Sequence, residues 1–319
     1  PWGGSVTDRL RYRTWMCDSS QWDGFEFRPD DVVISTSPKC GTTWTQMLCA
    51  LLIFDDWQFE QPLTQISPWL DQSTQRLDDV LTTLSAQRHR RFIKTHTPFD
   101  GLPHDDRVTY LCVGRDPRDV AMSMDHHWSN MDVKQVLRVR ATAVGTADTD
   151  ELLQRSPMGG RPDDARVRFC MWVDNDRPPH LIGSSLRALL HHVDTFWVAR
   201  ERENVSLFHY SDLEADLIGE LRRLADVLRI SVSNQRLREL APAAGFERMR
   251  ERAAEVAPNA DIGIFRDIEG FFHSGSSGQW RDVLDADDLA HYRERVSQLA
   301  APDLARWMHL GSRASVEGW

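Results

Sequence analysis

Four short β-branched, apolar runs, each leading toward a stretch of helical periodicity, constrain the fold of this chain more than any other feature. Val32-Val33-Ile34-Ser35 precedes a Pro-Lys-Cys-Gly turn and the apolar stretch from Thr42 to Phe54. Arg91-Phe92-Ile93-Lys94 ends at Thr95-His96. Val108 to Val113 ends at Gly114-Arg115, and Pro117 suits the first turn of a following helix. Val205 to Phe208 ends at His209-Tyr210. Ser211 then reads as the start of a capping box with Glu214, ahead of the periodic Leu213, Leu217, Leu221, Leu224 and Leu228. Near-continuous apolar strands alternating with helices specify an α/β fold with a central parallel sheet flanked by helices. Ligands of such sheets bind beyond the carboxyl ends of the strands, where Lys39, His96, Arg115 and Tyr210 fall.

The 319 residues read as one α/β domain over 1–319 with a single large excursion. That excursion is 131–165, poor in large apolar residues and rich in turn formers, which reads as a mobile loop or lid. A formal net charge of −10 argues against bulk nucleic-acid binding but leaves room for a small basic pocket. Lysine is scarce: Lys39, Lys94 and Lys134 are the whole set, against 35 arginines. A lysine beside a glycine turn is therefore informative. The five cysteines form no Cys-x-x-Cys pair, which excludes a spaced zinc site and suits a reducing cytosol. The longest apolar run, Met47 to Phe54, is far short of the about 20 residues of a membrane span. With no secretory pattern at Pro-Trp-Gly-Gly, a cytoplasmic location is expected.

The strongest local signal is Ser37-Pro38-Lys39-Cys40-Gly41-Thr42-Thr43-Trp44, set between a strand and a helix. A glycine turn at a helix N-terminus offers unpaired N–H groups to an anion, and the helix dipole adds to the attraction. Thr42 and Thr43 add hydroxyls, and Lys39 adds a full charge. This is a P-loop-like cradle without the Walker A order, because Lys39 precedes Gly41.

These residues resemble the cytosolic-type sulfotransferase family, whose first signature is Pro-Lys-Ser-Gly-Thr-Thr-Trp; Cys40 stands for its serine. Val113 to Ser123, Val-Gly-Arg-Asp-Pro-Arg-Asp-Val-Ala-Met-Ser, is similar to the family's 3′-phosphate-binding strand and helix. Lys94-Thr95-His96-Thr97-Pro98 is similar to the segment around its catalytic base. The resemblance spans about residues 28–285. It implies transfer of a sulfuryl group from 3′-phosphoadenosine-5′-phosphosulfate (PAPS) to an acceptor hydroxyl or amine, with adenosine 3′,5′-bisphosphate (PAP) as product and no metal. It also implies roles. Lys39, Cys40, Gly41, Thr42 and Thr43 would hold the phosphosulfate, Trp44, Tyr210 and Phe246 the adenine, and Arg115 with Ser123 the 3′-phosphate. His96 would be the base, with Lys39, Lys94 and Ser123 beside the transferring group.

Departures from the family pattern fall late in the chain. The Arg-Lys pair that clamps the 3′-phosphate is replaced in His273-Ser274-Gly275, where backbone amides around Gly275 are left to form an anion nest. The family's dimer motif after Trp280 is absent, so its dimer is not expected. Two rivals remain at this point: a P-loop-like kinase using ATP and magnesium, and a non-catalytic PAP-binding protein. Cys40 has two readings, a redox-sensitive thiol or a bystander whose N–H binds. The acceptor pocket is expected from loops at 57–75, 97–104, 125–165 and 255–272, with Trp128 and Phe99 as candidate lining. Their aromatic content points to a phenol, steroid-like compound or lipid or glycolipid acceptor. The His126-His127 and His191-His192 pairs read as structural rather than metal-binding.

Overall fold

A computed structural model of the chain describes residues 9–155, 160–273 and 275–312. Four strands, β1 (Val32–Ser35), β2 (Phe92–Thr95), β3 (Thr109–Gly114) and β4 (Val205–His209), form one sheet in the order β2-β1-β3-β4. All three pairings are parallel, with Val33 opposite Ile93 and Tyr110, and Val113 opposite Phe208. Strands this short and this apolar are stable only when covered on both faces. Alternate residues serve two separate cores. Val33, Ile93, Tyr110 and Cys112 pack on one face with Leu186, Leu190 and Val193 of the Leu186–Val198 helix. Val32, Ile34, Phe92 and Leu111 pack on the other with Met47 and Leu51 of the Thr42–Phe54 helix and Leu221 and Leu224 of the Leu217–Val227 helix.

Two expectations are corrected. The helix after β4 starts at Tyr210, and the His209 side chain, not Ser211, caps it by accepting from the Ser211 N–H. It then breaks at Asp216, which caps the Leu217–Val227 helix by accepting from the Gly219 N–H. An imidazole can cap as a hydroxyl does, which a motif of Ser and Glu does not register. Second, most of 131–165 is regular helix, Val133–Val144 and Thr146–Arg155, rather than a turn-rich loop. Few apolar residues are needed there because Arg140, 1% exposed, anchors the pair through Asp148 and the Trp15 carbonyl, 3.0 Å away. The remainder of that stretch at 156–159 lies outside the described residues. No helix among the described residues is long and apolar enough to cross a membrane.

Candidate active site

The carboxyl ends of β1, β2 and β3 open into one cavity of about 680 Å³. After β1 the chain turns through Lys39 at φ 67° and Gly41 at φ 99° into the Thr42–Phe54 helix. A left-handed backbone at a lysine is costly and is held by its surroundings. Gly41 is needed both for its φ and for space, since a Cβ there would lie 3.1 Å from the Tyr210 ring. No side chain caps this helix, so its first N–H groups are left to a ligand.

Arg115, just past β3, donates to the Lys39 carbonyl at 2.9 Å and lies over the Tyr210 ring, 4.0 Å from its centroid. Its Nε is buried with no partner. Trp44 meets Tyr210 edge-on, with ring centroids 5.2 Å apart. Phe246 packs so closely on Gly275 that a Cβ there would lie 2.3 Å from the ring. Ser123 lies on the Pro117–Asn130 helix and lines the same cavity. Thus Lys39, Gly41, Thr42, Thr43, Trp44, Arg115, Ser123, Tyr210, Phe246, His273 and Gly275 share one cavity wall with Lys94 and His96. Cys40 does not line it. Its thiol sits in the core below the loop, and burial pushes its pKa up to about 12, which disposes of the redox-sensitive reading. His273 is exposed and stacks on His126 at 3.6 Å. Ser274 lies outside the described residues.

The reacting end is built on β2. The His96 Nδ1–H donates to the Thr36 carbonyl at 2.7 Å, which leaves Nε2 as the free lone pair. Burial, and then the Lys94 charge, hold the imidazole well below its ordinary pKa, so it is neutral near pH 7. Burial brings Lys39 down to about 7, with Arg115 adding to the effect. Burial likewise brings Lys94 to about 7, with Asp71 opposing and Lys39 adding. The amines of Lys39 and Lys94 and the Arg115 guanidinium line this cavity without an ion pair among the described residues. Such a site is starved of anion.

Beneath it lies a hub the sequence did not announce. The Asp71 carboxylate accepts from Trp22 Nε1 (3.0 Å), Trp69 Nε1 (2.7 Å), Thr95 Oγ1 (2.6 Å) and Thr97 Oγ1 (2.6 Å). Trp69, held in this way, carries the Lys94 ammonium 4.2 Å from one face and touches His96 edge-on at 4.8 Å. Asp71 therefore orients both groups of β2 that reach the cavity.

The rest of the lining is largely apolar. Trp69, Trp128, Ile264, Phe265 and Phe271 come to it from the expected segments, and Met124 from the Pro117–Asn130 helix just outside them. Phe99 does not: it is core, stacked on His104 at 4.0 Å and against Tyr110 and Phe196. Two further segments, Tyr12 to Cys17 and Pro179 to Ala188, also reach the cavity. They precede or interrupt every recognisable motif, and only the fold brings them there. The Arg13–Glu151 pair (2.8 Å) and the Arg140–Trp15 bond fasten the first of them to the two helices of 133–155.

A cradle that gathers cations and N–H groups, sharing its cavity with an imidazole that keeps a free lone pair and with an apolar lining, has the make-up of a group-transfer enzyme acting on an anionic donor. The chain belongs to the sulfotransferase domain family, which matches residues 29–308. It is 44% identical over 318 residues, 97% of this chain and 96% of the relative, to a glycolipid sulfotransferase of Mycobacterium bovis. Among solved structures, a mouse sulfotransferase complexed with PAP superposes with a TM-score of 0.64, at 17% identity, over 91% of this chain and 90% of that one. Retinol dehydratase in complex with androsterone and inactive cofactor PAP gives 0.61 at 23% identity, over 88% and 82%. Family membership removes the kinase alternative.

Proposed function

We propose that the chain transfers the sulfuryl group of PAPS to a hydroxyl of an amphiphilic acceptor of the glycolipid kind, in the cytoplasm. One observation carries the reading: a single cavity gathers the anion cradle, a set of apolar side chains and His96, whose Nε2 keeps its lone pair. The residues fit the donor. Arg115 has a buried Nε without a partner, and Lys39 and Lys94 line the same cavity with no ion pair among the described residues. A phosphosulfate supplies what all three lack. Trp44, Tyr210 and Phe246 give flat surfaces for a purine, and Arg115 with Ser123 would take the 3′-phosphate.

In the step itself, the acceptor oxygen forms a bond to sulfur as the bond from sulfur to the 5′-phosphate oxygen breaks. The acceptor proton passes to His96 Nε2, and Lys39 offsets the charge growing on the leaving phosphate. The Nδ1–H bond to Thr36 fixes the tautomer that can accept. A mycobacterial relative named for glycolipids supports an acceptor with a lipid tail and a hydroxyl-bearing head, which the mixed wall suits. Free thiols on all five cysteines suit the cytosol. The test is thermal shift with PAP against ATP plus magnesium, followed by transfer of labelled sulfate from PAPS to octyl β-D-glucopyranoside. A ligand at 100 times its Kd stabilises by about 2.7 kcal/mol. Stabilisation by ATP alone would overturn the reading.

A further inference from the structure

One imidazole on the cavity wall has no part in the transfer just described. His127 sits one turn beyond Ser123 on the Pro117–Asn130 helix and lines the cavity shared by Lys39 and His96. Its ring is flanked by Phe265 and Phe271, with centroids 5.5 and 6.0 Å away. Phe271 in turn carries the Lys39 ammonium 4.5 Å from its centroid. His127 is thus one aromatic ring removed from the cation at the cradle.

Its Nδ1 is buried and has no hydrogen-bond partner. Of the other histidines of this cavity, His96 bonds the Thr36 carbonyl through Nδ1 and keeps Nε2 for the transfer, His192 bonds Ser35 Oγ, and His273 stacks on His126. Burial, with Lys39 and Lys94 nearby, keeps the His127 ring neutral. With Nδ1 closed off, the nitrogen left for a cavity ligand is Nε2, and a neutral imidazole can meet a hydroxyl there as donor or as acceptor. Leaving a buried polar atom unpaired is a standing cost, and a phenylalanine packed against the same two rings would avoid it. Aromatic walls around a lone hydrogen-bonding group suit a ring that shows apolar C–H faces and polar hydroxyl edges.

We propose that His127 hydrogen-bonds a second, non-reacting hydroxyl of the acceptor and so selects polyhydroxyl head groups over simple alcohols. This rests on the reading of the cavity as the site of sulfuryl transfer to an acceptor. His96 then deprotonates one hydroxyl while His127 fixes the ring by another. A site built to bond a hydroxyl discriminates strongly against an analogue that lacks it, because the site's own group is left unpaired.

The experiment measures kcat/KM of the full chain with PAPS for octyl β-D-glucopyranoside and for 1-octanol, which share a tail. The ratio of the two is followed in wild type, His127→Phe and His127→Gln. The ratio should fall at least about tenfold in His127→Phe, or about 1.4 kcal/mol, and recover in part in His127→Gln, which keeps a polar tip. The PAP-induced thermal shift monitors folding, and His127→Leu replaces the Phe variant if that one does not fold. An unchanged ratio, or a Gln variant as low as the Phe variant, overturns the inference. Wild-type transfer to octanol but not to the glucoside overturns it while sulfuryl transfer stands. Transfer to neither overturns the functional reading as well.

Discussion

Nucleotide binding should take up protons, because the two lysines of the cavity are fully charged only when an anion fills it. Lys39 and Lys94 are both held at about 7 by burial. At pH 8 each is then only about one-tenth protonated in the free protein. The phosphates of PAP are fully ionised at that pH and contribute no titration of their own. Bound phosphate beside Lys39 and Lys94 favours the ammonium forms, so complex formation draws up to about two protons from solvent. The sign follows directly: above pH 7 the free protein has fewer protons than the complex, so affinity falls as pH rises. The slope is about tenfold per pH unit for one lysine and up to about a hundredfold for both. Calorimetric titration with PAP at pH 8, in HEPES and in Tris buffer, reads the uptake from the difference in heat. Lys94→Met should remove its share. Heats independent of buffer, with an affinity flat from pH 7 to 9, would refute the reasoning.

Arg115→Ala should nearly abolish discrimination between PAP and adenosine 5′-phosphate, a loss of about 10- to 100-fold for a charged hydrogen-bonding partner, read by competition binding; retained discrimination would move the 3′-phosphate elsewhere. Asp71→Asn leaves an amide facing four donors and should cost about 2–4 kcal/mol in urea unfolding, with a fall in kcat beyond the fall in folded fraction. An unchanged midpoint would deny Asp71 its role in holding Trp69. Burial lowers His192 to about 3 and His209 to about 4, so the unfolded chain takes protons below pH 6.5 that the fold refuses. Stability is therefore lost as pH falls from 6.5 toward 4, by about 1.4 kcal/mol per unit for each histidine. His192→Gln should flatten the melting temperature against pH over that range, and an unaltered slope would contradict the assignment.

Much of the sheet was legible because parallel strands advertise themselves. Val32–Ser35 and Thr109–Gly114 are buried on both faces, so their apolar runs are unbroken, and the residues after them cannot continue the strand. The cradle was legible for a similar reason: Lys39, Gly41 and the two threonines are local in sequence and need no long-range contact to be recognised. Two of the three lysines of an arginine-rich chain lie in this one cavity, which the scarcity of lysine foreshadowed. Asp71 was not legible. It acts through Trp22 and through Thr95 and Thr97, partners distant in sequence, and no spacing rule joins them. The 131–165 stretch misled for the opposite reason, since its stability comes from the buried Arg140 and its partners rather than from an apolar stripe. Phe99 was misplaced because the residue just past a strand-end motif can turn inward, and here the 3-10 turn Phe99–Gly101 takes it to the core.

The most direct measurement of the central claim is single-turnover transfer of labelled sulfate from PAPS to octyl β-D-glucopyranoside by wild type and His96→Ala. The account predicts labelled product with wild type. It predicts a rate about 10²–10⁴ lower with the variant, which should still fold and still bind PAP. A wild type that binds PAP yet labels no hydroxyl acceptor, or a His96→Ala protein that transfers at the wild-type rate, would contradict it.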